Sequence, residues 1–328
     1  DALSTLVLGD ASPLPVGEAV SLTGEAPFDT RTALHQRILD IQKALEGRTG
    51  LTLQSLLDPR NADLVAKATA DVAYRHALVT LQPFALTGEA AIHAPFGDAG
   101  QLDLFDPATR SGALTTAYLA DRAHLLRQVL ARNQADSIAA PAGPYAKETY
   151  LDGPTGLRFS TDASHLGTEP PADYARIAFD GHLPGTLTGG TADDRLYAGG
   201  GDDVLQGGGG SDYLEGGPGF DTYWWSPGDG VDRILDVDGN GRALLDGSPA
   251  TGGRRVAEGV YRNTAGTLTY VWKPAEGTDA GPLVVNGVVR VEHFRNGDLG
   301  IFLDDTPAAP KPTDYAQEGG ELADALVL

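Results

Sequence analysis

The spacing of large apolar side chains along this chain changes twice. Residues 1–28 hold no regular period and predict an irregular stretch with short strands at most. Asp29 and Thr30 then stand as N-cap residues ahead of Leu34, Ile38, Ile41 and Leu45, which recur at helical spacing until Gly47. A second helix is predicted over about 61–81, with Leu64, Ala68, Val72 and Val79 inward and Pro83 past its end. A third is predicted over about 115–132, capped by Thr115, with Tyr118, Leu125, Leu126, Val129 and Leu130 in one stripe. An acid-punctuated loop, HAPFGDAGQLDLFDP, lies between the last two.

From about residue 180 the texture alters. Glycine crowds into 181–253, and the β-prone runs GVYR, TLTYVWK, PLVV, VVRVEHF and LGIFL follow, separated by the turn signals NTAG, EGTDAGP and NGD. These predict an antiparallel β-segment. The layout expected is a mainly helical segment at 1–150, a connector at 151–184, a glycine-rich segment at 185–241, a β-rich cap at 242–303 and an acidic, proline-containing tail at 304–328.

Within the glycine-rich segment four nonapeptides stand end to end: GGTADDRLY (189–197), AGGGDDVLQ (198–206), GGGGSDYLE (207–215) and GGPGFDTYW (216–224). Their sixth position is Asp194, Asp203, Asp212 and Asp221, and their eighth is Leu196, Leu205, Leu214 and Tyr223. A fifth copy, PGDGVDRIL (227–235), follows two inserted residues and puts Asp232 and Ile234 in the same places. A half-copy, GTLT, precedes the first with Leu187 in the apolar place. The pattern is G-G-x-G-x-D-x-U-x, with U large and apolar. A flexible glycine linker would have no reason to keep an acid and an apolar residue two apart in this register.

Glycines let the first six residues turn tightly, and the last three form a short strand with its apolar residue inward. Two nonapeptides make one turn of a right-handed parallel β-roll, so alternate copies stack on one flank. That stacking pairs Asp194 with Asp212 and Asp203 with Asp221, and Asp232 extends the first pair. Loop carbonyls and sixth-position carboxylates then form an oxygen cage suited to Ca²⁺, whereas Zn²⁺ favours nitrogen and sulfur. About two to four ions are expected. The candidate ligands also include Asp193, Asp202 and Asp229 and the loop residues Gly190, Gly199, Gly201, Gly208, Gly210, Gly217 and Gly219. Ala198 and Pro227 depart from glycine at the first position and Ala192 at the fourth. Directly after the repeats, DVDGNG (236–241) offers Asp236, Asp238 and Asn240 in the spacing of half an EF-hand loop, although its twelfth position is Gly247 instead of Glu. An EF-hand, an added calcium site at the end of the roll and a plain polar turn all remain open there.

Composition agrees with a cation-holding protein. Lys and Arg number 24 against 45 Asp and Glu, a net charge of −21, which argues against nucleic acid or an anionic membrane as partner. No cysteine is present, so disulfides and thiolate chemistry are excluded. No run reaches the length of a membrane helix. Methionine is absent even from position 1, and the chain is expected to be a processed or excised piece of something longer.

The repeats at about 185–236 resemble the RTX family of calcium-binding repeat proteins exported by bacterial type I secretion, and the β-rich run to 303 resembles the cap at the end of such rolls. Together with the helices read from the apolar spacing, the resemblance implies a multidomain α plus β architecture: a mainly helical segment, a right-handed parallel β-roll and an antiparallel β cap. It implies a secreted, extracellular bacterial protein that is largely unfolded where calcium is scarce and folds on export. Unpaired carboxylates on a thin core repel one another, and the ions turn that repulsion into a driving force for folding. The closing ELADALVL is similar to a C-terminal export signal and equally to a linker.

No G-x-S-x-G, H-E-x-x-H or P-loop occurs. The segments DVAYRHALVTLQPFALTG and LDLFDPATRSGALTTAYLADRAHLL resemble, over roughly 30–135, the region between a lipase-like hydrolase core and the repeats of large secreted bacterial hydrolases. In that setting His35, in TALHQRIL, would be a general base whose Ser lies upstream in a catalytic domain outside this sequence. The chain alone is expected to be inert. A different class of reading is an adhesin or binding module, in which Trp224, Trp225, Trp272 and Tyr270 form an aromatic platform for a glycan or a protein partner.

Overall fold

The computed structural model describes residues 40, 43–46, 50–56, 63–88, 90–96, 100–134, 147–162 and 171–306. His35, most of the first predicted helix and the tail beyond 306 lie outside them.

The expected helix at 61–81 is two helices, α1 (Leu64–Ala70) and α2 (Val72–Val79). Asp71 separates them. Its extended backbone ends the first, and its carboxylate accepts the Ala73 N–H at 2.9 Å as the N-cap of the second. An antiparallel pair of strands, β1 (Thr52–Ser55) and β2 (Phe84–Thr87), flanks them. The third predicted helix is α3 (Thr116–Gln134), and Thr115 Oγ1 accepts the Tyr118 N–H at 3.0 Å. Leu64, Ala68, Ala77, Leu78, Leu119 and Leu126 form the core of this part.

The stretch expected to connect the two parts carries sheet instead. β3 (Glu148–Asp152), β4 (Leu157–Ser160) and β5 (Ala175–Phe179) lead into the strands of the repeats. These are β6 (Thr186–Thr188), β7 (Arg195–Tyr197), β8 (Val204–Gln206), β9 (Tyr213–Glu215), β10 (Asp221–Trp225) and β11 (Asp232–Leu235). Next come β12 (Gly241–Leu245) and the short β13 (Ser248–Pro249). The last strands are β14 (Gly252–Ala257), β15 (Val260–Arg262), β16 (Thr269–Trp272), β17 (Ala280–Val285), β18 (Val289–Arg295) and β19 (Phe302–Asp304).

Alternate copies go to opposite sheets. β5, β7, β9, β11 and β18 pair in parallel within one sheet, and β6, β8, β10 and β12 pair in parallel within the other. The eighth-position residues Leu196, Leu205, Leu214, Tyr223 and Ile234 meet between the sheets and are all buried. One large apolar residue per nine supports only a thin core, and the strands β14 to β18, antiparallel to one another, extend it with Tyr270, Leu283, Val285 and Phe294.

The helical part sits on the outer face of the first sheet. Leu125 packs with Tyr150, Ile177, Phe179 and Tyr197. Arg122 is fully buried there, paired with Asp152 at 2.5 Å and donating to the Leu78 and Val79 carbonyls. Asp121 accepts from Arg195 at 2.7 Å and from the Tyr197 hydroxyl at 2.6 Å. Further along, Arg110 pairs with Asp298.

Candidate metal centre

Each copy turns on glycine. Gly199 and Gly201, Gly208 and Gly210, and Gly217 and Gly219 have positive φ, a region glycine enters without strain. A Cβ on Gly217 would overlap the Gly199 carbonyl oxygen, and one on Gly219 that of Gly201. Loops two copies apart are therefore in backbone contact. Gly190 keeps negative φ, as does Ala192, which stands where the other copies have glycine.

Across these loops the sixth-position carboxylates form two ladders. In one, the Asp194 N–H donates to Asp212 Oδ1 at 2.8 Å and the Asp212 N–H to Asp232 Oδ1 at 3.1 Å. In the other, the Gly185 N–H donates to Asp203 Oδ1 at 2.6 Å and the Asp203 N–H to Asp221 Oδ1 at 2.9 Å. These are the pairings that the nine-residue count predicts. All five side chains are at most 2% exposed. The Oδ2 atoms of Asp203, Asp212, Asp221 and Asp232 are buried without a hydrogen-bond partner, whereas that of Asp194 accepts the Gly190 N–H.

Residues 188–223 match the family model of the RTX calcium-binding nonapeptide repeat, in four copies. The chain carries an RTX array. RTX repeats bind calcium and are typical of secreted bacterial proteins. The match covers the repeats and not the rest of the chain, and no curated protein matches the chain.

A buried carboxylate oxygen without a partner is costly, and the donors around the RTX ladders are all oxygens, carboxylate and loop carbonyl, so the residues fit Ca²⁺. Among the described residues no three acidic or histidine side chains gather into a metal cluster. Burial pushes the carboxyls up: Asp203 to about 6, Asp221 and Asp232 to about 7, and Asp212 to about 8. Neighbouring carboxylates add to the rise, while the backbone N–H groups oppose it.

The other expected ligands do different things. Asp193 Oδ1 accepts the Ser211 N–H at 2.7 Å and Asp202 Oδ1 the Phe220 N–H at 2.8 Å, so these fifth-position acids staple each loop to the next on its flank. Asp229 accepts the Ser226 N–H at 2.5 Å. The segment 236–241 is not an EF-hand. It is the turn of a sixth nonapeptide, DVDGNGRAL, whose strand lies on the fourth copy with Gly241 opposite Asp221 and Ala243 opposite Tyr223. Asp236 accepts the Tyr223 hydroxyl at 2.9 Å and the Gly239 N–H at 2.7 Å. Asp238 accepts the Gly219 N–H at 3.1 Å and the Asn240 N–H at 2.8 Å, so the carboxylates here are held by the protein itself and Asn240 contributes its backbone.

The aromatic platform is not assembled. Tyr270 is fully buried, Trp272 packs edge-on to Phe294 with ring centres 5.7 Å apart, and Trp225 donates to the Gly230 carbonyl, leaving Trp224 at the surface. His76 is buried against His93 and Phe96, and burial followed by the His93 charge lowers its pKa to about 4, as for a neutral core histidine. A cleft of about 610 Å³ lies between α3 and the RTX sheet, bordered by Phe105, Tyr213, Arg233, Glu292 and His293. Beside it the buried Glu215 accepts from Thr115 and Tyr213, each at 2.8 Å. The nonapeptide pattern gave no hint of that carboxylate, because it counts the ninth position as solvent-facing. No helix among the described residues is long and apolar enough to cross a membrane.

Proposed function

We propose that calcium assembles this chain: ions entering between stacked loops neutralise the two carboxylate ladders, close the roll and create the sheet face on which α3 rests. The observation that carries this reading is the row of buried, unpartnered Oδ2 atoms on Asp203, Asp212, Asp221 and Asp232. Four such oxygens are unfavourable in a calcium-free fold and become ligands once an ion is present. The contacts of Arg122 with Asp152, Asp121 with Arg195 and Tyr197, and Thr115 with Glu215 support the second half of the reading, since they tie the helical part to strands of the roll. The module is proposed to act outside a bacterial cell, where calcium is plentiful, as the calcium-dependent support of a secreted hydrolase or effector.

The test is calcium titration of the whole chain, followed by circular dichroism and calorimetry, beside the double variant Asp203→Ala/Asp212→Ala. A cooperative gain of β signal that the variant lacks is expected. A chain equally folded in calcium and in chelator would refute the reading.

A further inference from the structure

The loop that opens the second ladder is itself a nonapeptide with two positions exchanged. β6 pairs in register with β8, Leu187 opposite Leu205, so residues 180–188 are a copy in which Asp180 holds the first position and Gly185 the sixth. The sixth copy shows the same exchange, with Asp236 first and Gly241 sixth. The two ends of the ladder use it differently. At the far end both oxygens of Asp236 are taken by Tyr223 and Gly239.

At the near end Asp180 Oδ1 accepts the N–H of the next residue, Gly181, at 2.8 Å, and its Oδ2 turns into the space that a sixth-position side chain would fill. A Cβ on Gly185 would overlap that oxygen and stand 3.4 Å from Asp203 Oδ1. Asp203 is 2% exposed, and its Oδ2 has no partner. Backbone oxygens are also at hand. The Gly181 carbonyl oxygen lies where a Cβ on Gly199 would overlap it, and that of Leu183 would stand 3.3 Å from a Cβ on Gly201.

We propose that Asp180 replaces the missing sixth-position carboxylate and, with Asp203, holds one further calcium ion between loops 180–185 and 199–203. The donors are hard oxygens from two carboxylates and adjoining carbonyls, the chemistry of calcium. The proposal rests on the reading of the array as calcium-loaded and adds a site that the consensus pattern does not contain. It also explains the paired change, since an acid at both positions of one copy would put two carboxylates in the same space.

Equilibrium dialysis of the full chain against calcium chloride, with ions counted per chain and β signal followed by circular dichroism, tests it. Asp180→Asn keeps the hydrogen bond to Gly181 and is expected to bind one ion fewer than the unaltered chain. The exchange variant Asp180→Gly/Gly185→Asp restores the consensus arrangement and is expected to recover the full count. A folded Asp180→Asn that binds as many ions as the unaltered chain overturns the proposal and leaves the calcium reading intact. Should Asp180→Asn not fold in calcium, the exchange variant decides, a full count supporting the site and a count one short overturning it. An unaltered chain that binds no calcium removes both.

Discussion

Replacing Asp212 by Asn should stabilise the chain in chelator and destabilise it in calcium. Asp212 sits between Asp194 and Asp232 in the longer ladder, its Oδ1 accepting the Asp194 N–H and its Oδ2 buried without a partner. Asn keeps the Oδ1 acceptor and removes only the charge. Without calcium, burial holds the native carboxyl at about 8, against an ordinary 3.8. At pH 7 that displacement disfavours the native state by roughly 4 kcal/mol, at about 1.4 kcal/mol per pH unit between the ordinary pKa and the working pH. Asn removes this term but buries an amide N–H₂, at about 1–3 kcal/mol, so a net gain of roughly 1–3 kcal/mol is expected in chelator. In calcium the balance reverses. Each ion bound at a hundred times its dissociation constant contributes about 2.7 kcal/mol, and Asp212 borders two inter-loop spaces, so a loss of up to about 5 kcal/mol is expected. Urea unfolding followed by circular dichroism, in chelator and in excess calcium, reads both. A change of the same sign and size in the two conditions would show that the carboxylate charge is not coupled to calcium and would refute the reasoning.

Two more outcomes follow from the same geometry. In the calcium-free chain Asp203, Asp221, Asp232 and Asp212 hold protons up to about 6, 7, 7 and 8, above the unfolded value, so their contribution to stability is fully present below about 4 and is lost as pH rises to about 8. The thermal midpoint in chelator should fall over that window and stay nearly flat in calcium; a midpoint that climbs with pH in chelator would contradict this. Gly217→Ala should destabilise far more than Gly228→Ala. Both have positive φ, at about 1–2 kcal/mol for a non-glycine residue, but a Cβ at 217 would overlap the Gly199 carbonyl oxygen and one at 228 meets nothing within 4 Å. Equal urea midpoints for the two variants in calcium would mean that the loops are not in contact.

The roll was legible because its period is stated by chemistry. Glycine recurs at the turn positions where the backbone needs it, only the eighth position is large and apolar in each of the five copies from 189 to 235, and Leu196, Leu205 and Leu214 are each at most 1% exposed. Its ends were hidden by the same rule. The sixth copy lacks both diagnostic residues, with Gly241 for the acid and Ala243 for the apolar residue, and the copy at 180–188 carries its acid at the first position. Backbone pairing keeps such copies in the stack, since a parallel ladder needs N–H and C=O groups in register more than it needs a particular side chain. The strands before the repeats were missed for a different reason. Tyr150, Ile177 and Phe179 are covered by α3, so short runs such as ARIAF carry no alternation that would separate them from a connector. In the helical part the break at Asp71 was obscured by apolar spacing that continues across it, although Asp before Val72 is a capping signal in its own right.

The two faces of the roll differ for a reason that one nonapeptide does not contain. Two copies make a turn, so odd copies supply one sheet and even copies the other. The ninth position of the odd copies holds Tyr197, Glu215 and Leu235, all buried, and two of these carry polar groups that meet Asp121 or Thr115 of the helical part. The ninth position of the second and fourth copies holds Gln206 and Trp224, which are exposed, and that of the sixth holds the buried but apolar Leu244. Buried polar groups require fixed partners, so the odd face specifies how the helical part seats, whereas the even face carries no such demand. The longer carboxylate ladder, Asp194, Asp212 and Asp232, stands at the entrance to those odd strands. The same strands that calcium would draw into register are thus the ones whose outer side chains hold α3, so on the proposed function folding of the roll and seating of the helices would be one event.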